Sequence, residues 1–149
     1  MAVEDLRPDQ LHDLTFLFAD VERSSEAWLT RSLEMTTCIP AVNAAVEEAG
    51  EAKGGVVFAR EGDGRAVYFH DAAAALQAAV DAQVRIANSP VETGGLRVRI
   101  GLHSGTVFQL SDGDLGGTPL NYSGRLHSCL LYTSPSPRDA TLSRMPSSA

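Results

Sequence analysis

The sequence predicts a mixed α/β domain, and three observations carry that expectation. Leu14-Thr15-Phe16-Leu17-Phe18-Ala19 is a largely apolar run of strand length,. Val56-Val57-Phe58 and Val67-Tyr68-Phe69 flank Asp63-Gly64, the pattern of a β-hairpin whose glycine accepts a positive φ,. Ala41–Ala52 and Ala72–Ala87 carry their apolar residues at helical spacing instead,.

The chain has 149 residues, enough for one domain with a real core,. Its formal net charge of −7 argues against broad binding to nucleic acid or to an anionic membrane, both of which need a basic footprint,. A small anionic ligand held together with Mg²⁺ remains compatible. Cys38 and Cys129 are the only cysteines and neither has metal-ligand spacing, so a reducing, cytoplasmic setting is expected,. Residues 1–12 are polar and charged, a flexible lead-in rather than a signal peptide, and no apolar run approaches membrane-spanning length,.

Taken in order, the first strand is expected over Asp13 to Ala19. Leu17 is apolar like Leu14, Phe16 and Phe18, which predicts cover on both faces,. Ser24 or Ser25 then suits the cap of a helix reaching about Thr37,. That helix start, beside Asp20, offers spare N–H groups for a phosphate. Pro40 is expected to break or restart the helix,. Val42, Ala45, Val46 and Ala49 define the buried side of the next segment, and Lys53-Gly54-Gly55 ends it.

Asp71 caps a helix over Ala72–Ala87, with Leu76, Val80, Val84 and Ala87 as its expected apolar face,. Asn88 to Gly95 reads as a loop. Leu96, Val98, Ile100 and Leu102 alternate with Arg97, Arg99 and Gly101, a half-buried strand that His103-Ser104-Gly105 closes,. Thr106 to Leu110 begins a partner strand, and Pro119 opens a last helix to about Ser128. His103 has no nucleophile pattern around it and receives no catalytic role. Residues 129–149 are Ser/Pro-rich and without periodicity,. They read as a disordered, non-native tail that resembles translated sequencing-adaptor read-through.

Two acidic residues stand apart. Asp20 ends the first strand and Asp63 sits in the hairpin turn, so one sheet can bring both carboxylates to a hard cation,. Without Asp20, Glu61 and Asp63 would read as a solvated turn.

Four segments in order carry a resemblance. Phe16-Leu17-Phe18-Ala19-Asp20-Val21-Glu22-Arg23-Ser24-Ser25 resembles the first metal-binding motif of class III nucleotide cyclases, and Glu61-Gly62-Asp63-Gly64 the second. Leu96 to Gly105 is similar to their central strand motif. Asp114 to Leu126 resembles their segment for base and transition-state binding. The likeness spans about Leu14 to His127, and residues 13–128 are identified as a cyclase catalytic domain that stops short of the family's later strands, helix and phosphate-contacting lysine.

That resemblance implies a ferredoxin-like palm, a mostly antiparallel sheet flanked by helices, working as a head-to-tail homodimer. It implies two divalent cations, Mg²⁺ or Mn²⁺, on Asp20 and Asp63 with help from the Val21 carbonyl, and Ser24 and Ser25 near the substrate phosphates. In such two-metal sites the ions lie about 3.5–4 Å apart. Asn121 and Arg125 would orient the ribose and neutralise the α-phosphate from across the interface. Asp114 falls where adenine-selective members accept from the adenine amino group, which favours ATP over GTP. The position of the family's base-selecting lysine holds Ala59, and strand alternation turns Arg60 to the opposite face,.

The implied reaction is attack of the ribose 3′-hydroxyl on the α-phosphorus of ATP, giving 3′,5′-cyclic AMP and pyrophosphate for intracellular signalling. The alternative is a degenerate cyclase-homology module that binds nucleotide or dimerises without turnover, which Ala59 favours. A diguanylate-cyclase-like palm fits less well, because its Gly-Gly-acidic-acidic-Phe turn is absent.

Overall fold

The computed structural model describes residues 11–109 and 115–116. A single antiparallel sheet organises them. Its strands are β1 (Leu11–Val21), β2 (Val56–Glu61), β3 (Gly64–Phe69), β4 (Val98–Gln109) and β5 (Leu115–Gly116), in the spatial order β2-β3-β1-β4-β5. The helices are α1 (Ser24–Thr30), α2 (Ser32–Ala52), α3 (Ala72–Ala87) and the single turn α4 (Pro90–Thr93).

β1 is the central strand, with β3 on one side and β4 on the other. Its alternation sorts two sets of side chains. Leu17, Ala19 and Val21 join Val57, Val67, Phe69 and Val98 in a core with α2 and α3. Leu14 and Phe16 pack with Tyr68 and Val107 on the opposite face, bordered by Phe18, Val56 and Phe58. Both faces are therefore buried, as apolar Leu17 beside Leu14, Phe16 and Phe18 predicts. The expected start at Asp13 is late by two residues: Leu11 and His12 already pair with Phe108 and Val107.

Three local expectations are corrected. The helix after β1 is not capped by Ser24 or Ser25. Arg23 is the cap residue, in the left-handed region at φ 57°, without a side-chain cap bond, and the helix breaks again at Arg31. Pro40 lies inside α2 and does not end it. The carbonyl its ring frees is that of Thr36, four residues back, and Thr36 and Pro40 are both on the exposed side, where water can satisfy it,. On α3 the buried residues are Ala75, Ala78, Ala79, Ala82 and Ile86, whereas Leu76, Val80 and Val84 are exposed. The small side chains win the inside because they let the helix backbone approach α2 and the sheet closely.

Further along, Asp71 caps α3 as expected, its carboxylate accepting from the Ala73 N–H at 3.3 Å. The loop after α3 contains the α4 turn. The strand expected to close at Gly105 instead runs unbroken to Gln109, since β1 offers it pairing partners along its whole length. Among the described residues no helix is long and apolar enough to cross a membrane. Cys38 is a free, buried thiol.

Candidate active site at the β1 end and the hairpin turn

The β2–β3 hairpin turns through Gly62 and Asp63, with β3 resuming at Gly64. The positive φ falls on Gly62 at 58°, two residues before Gly64, the glycine the sequence pattern favours. Glycine at the first loop position is what a primed hairpin turn demands. A bulge between Val57 and Ala59 re-aims β2,. It leaves Ala59 opposite Ala66, in a cavity with Phe18 and Phe58, and turns Arg60 toward α2. Ala59 and Arg60 thus point to opposite faces, as alternation predicts.

Register places the two carboxylates at one end of adjacent strands. Ala19 faces Arg65 across the β1–β3 ladder, so Asp20 lies one residue beyond that pair, at the level where β3 leaves the turn carrying Asp63. Asp20 also faces Arg99 on β4. The guanidinium donates to both carboxylate oxygens, Nε to Oδ1 at 3.3 Å and Nη2 to Oδ2 at 3.4 Å, with 12% of the Arg99 and 19% of the Asp20 side chain exposed.

Asp63 differs. Its Oδ2 is fully buried and accepts no hydrogen bond among the described residues. A buried acceptor without a donor is costly, so the position suits a ligand that supplies positive charge. Its backbone is held firmly nonetheless. The Gly62 carbonyl accepts from Asn43 Nδ2 at 3.3 Å and from Arg65 Nη1 at 3.0 Å, and the Gly64 carbonyl accepts from Arg65 Nη1 at 2.7 Å. Arg65 in turn donates to Glu47 of α2 at 2.6 Å. Glu47 also receives Arg60. Burial pushes the Glu47 carboxyl up, but the hydrogen bonds and charges of Arg60 and Arg65 outweigh it and hold the group below its ordinary value.

An oxygen-only donor set of Asp20, Asp63 and a backbone carbonyl suits Mg²⁺ or Mn²⁺, and the orphaned Asp63 oxygen fits such an ion,. No cluster of three or more His, Cys, Asp or Glu side chains forms among the described residues. Val21 is buried at the end of β1, beside Asp20. Ser24 is half-buried and Ser25 exposed in the first turn of α1. That helix has only seven residues, which removes the long-helix dipole from the argument for a phosphate there. Asp114, Asn121 and Arg125 lie outside the described residues, as does the tail at 129–149.

Sequence reasoning missed Arg99, Glu47, Arg65 and Asn43. Cross-strand register gives Arg99 away, since it sits opposite Asp20. No sequence pattern marks the other three.

No protein-family model matches the chain. Uncharacterized proteins of Mycobacterium tuberculosis and Mycobacterium bovis are 35% identical over 142 residues, covering 91% of this chain and 47% of theirs. The chain thus spans about half the length of the curated relatives it matches. Among solved structures, a bacterial light-regulated adenylyl cyclase superposes with a TM-score of 0.71 at 20% identity, over 83% of this chain and 43% of that one. The adenylyl cyclase CyaB of P. aeruginosa gives 0.68 at 21%, over 80% and 73%. The monomeric guanylyl cyclase domain of the RhoGC fusion protein of the aquatic fungus Blastocladiella emersonii gives 0.67 at 20%, over 80% and 77%. At these identities the likeness is one of fold.

Proposed function

We propose that this chain, which has the fold of class III adenylyl and guanylyl cyclase catalytic domains, forms the metal-binding part of an adenylate cyclase. The whole protein, acting as a head-to-tail homodimer, converts ATP to 3′,5′-cyclic AMP and pyrophosphate. The ribose 3′-oxygen forms a bond to the α-phosphorus as the bond to the pyrophosphate oxygen breaks, and the hydroxyl proton is released. Asp20 and Asp63, with the Val21 carbonyl, hold two divalent cations. Bound there, such cations offset negative charge on the attacking and leaving oxygens. Asn121 and Arg125 from the other protomer orient the ribose and neutralise the α-phosphate. Asp114 accepts from the adenine amino group, and Ser24 and Ser25 lie near the phosphates.

The observation that carries this reading is the buried, unpartnered Oδ2 of Asp63 at the strand end it shares with Asp20. A solvated turn carboxylate would face water, and a structural one would be hydrogen-bonded. The test is cyclic AMP formation from ATP by the whole protein with Mg²⁺ or Mn²⁺. Product that disappears in Asp20→Ala and in Asp63→Ala is expected; product that persists in either variant refutes the assignment.

A second reading has its own support. Arg99 already engages Asp20, and Ala59 stands where the base-selecting lysine is expected. Both fit a cyclase-homology module that binds nucleotide or dimerises without turnover. Nucleotide binding with no product under either metal favours that reading.

A further inference from the structure

We propose that Arg65 and Glu47 are positioning residues that aim the Asp63 carboxylate at the cation beside Asp20. The inference rests on the metal-binding reading above and adds the device that presents one of its ligands.

The carbonyls of Gly62 and Gly64, on either side of Asp63, converge on one guanidinium nitrogen, Nη1 of Arg65, at 3.0 and 2.7 Å. Fixing both restrains the short backbone stretch between them, and Asp63 is the residue inside it. The guanidinium is itself fixed, because its Nε donates to Glu47 Oε2 at 2.6 Å. Glu47 stands on α2 next to Val46, in the stretch where Val46, Ala49 and Gly50 are buried, so the helix carries the turn's position into the core. The side chains are 13% and 22% exposed, which shields the pair from solvent screening,.

An ordinary hairpin staple would not need this arrangement. Turn aspartates commonly spend a carboxylate oxygen on backbone amides nearby. Here the network grips the backbone and leaves Oδ2 of Asp63 buried without a donor. A fixed main chain bearing an unspent oxygen is the arrangement a pre-organised metal ligand requires. Arg60 provides the contrast. It binds the same Glu47 at 3.0 and 3.3 Å with a side chain 55% exposed, and its bonds do not reach the turn carbonyls.

Mn²⁺ binding to the whole chain, followed by the electron paramagnetic resonance signal of free Mn²⁺, tests this apart from turnover. Thermal melting selects the variants that fold. Arg65→Lys keeps the charge but loses the fork, and Glu47→Gln keeps the shape but loses the charge. Each is expected to weaken Mn²⁺ binding by about tenfold or more. Arg60→Gln is expected to change it by less than about twofold, since an exposed pair contributes little. Should either variant fail to fold, the other carries the test, with Asn43→Ala as the milder change.

Folded Arg65→Lys or Glu47→Gln chains that bind Mn²⁺ like the unaltered protein, while Asp63→Ala does not, overturn the positioning role and leave the metal site standing. Equal losses in Arg60→Gln and Arg65→Lys also overturn it, because they mark a merely structural ion pair. Mn²⁺ binding that survives Asp63→Ala, or its absence from the unaltered chain, refutes the metal reading itself.

Discussion

Gly62 is the residue on which the candidate site turns. Its φ of 58° is strained for any residue with a Cβ, yet a Cβ there would meet nothing within 4 Å. Gly62→Ala is therefore a backbone change alone, expected to cost about 1–2 kcal/mol. A lowered midpoint in urea unfolding reads it, and an unchanged midpoint would contradict the strain argument. Gly55 is the opposite case. A Cβ there would lie 2.6 Å from Phe69 and 2.7 Å from Val67, so Gly55→Ala overpacks the core and is expected to cost about 1–3 kcal/mol,. At this scale the placement of Asp20 and Asp63 at one end of the sheet was legible, because acidic residues at the end of an apolar run and in a hairpin break a visible pattern. Arg99, Arg65 and Glu47 were not. Their roles depend on which strand or helix lies opposite, and a lone charged residue in a sequence reads as solvated surface.

At the scale of elements, α3 shows how periodicity can be read correctly and assigned to the wrong side. Leu76, Val80 and Val84 form a real stripe, but a parallel stripe of alanines runs beside it, and close backbone approach favours the smaller residues inside,. Ala78→Val is accordingly expected to destabilise by about 1–3 kcal/mol through overpacking. Leu76→Gln is expected to stay within about 0.5 kcal/mol, as a surface change. Comparable losses in both would show that the exposed stripe is packed in solution.

The joint between α2 and the hairpin adds a pH signature. Glu47 is pushed up by burial but held below its ordinary value of 4.5 by Arg60 and Arg65. A carboxyl whose folded value is depressed stabilises the fold above its unfolded value and ceases to as pH falls through the folded one. The stability difference between wild type and Glu47→Gln is expected to be full near neutral pH and to close below 4.5. Melting temperatures of the two proteins across that range check it, and a difference that widens in acid would reverse the assignment.

For the whole molecule, the order β2-β3-β1-β4-β5 explains why two sequence-distant acidic residues stand at the same end of adjacent strands. β1 leads into α1 and α2, and the chain returns as a hairpin whose second strand pairs with β1. The resemblance supplied this antiparallel palm; strand and helix patterns alone supplied only the mixture of elements. The extent of β4 was hidden because His103-Ser104-Gly105 reads as a terminator, whereas pairing with β1 carries the strand through it. At this scale the proposal is that one active site draws Asp20 and Asp63 from one chain and Asn121 and Arg125 from another. Mixing Asp20→Ala and Arg125→Ala versions of the whole protein tests it most directly. A heterodimer would hold one site with both defects and one with neither. Each variant is expected to be inactive alone, and the mixture to recover cyclic AMP synthesis. An inactive mixture, with subunit exchange demonstrated, would contradict the shared site.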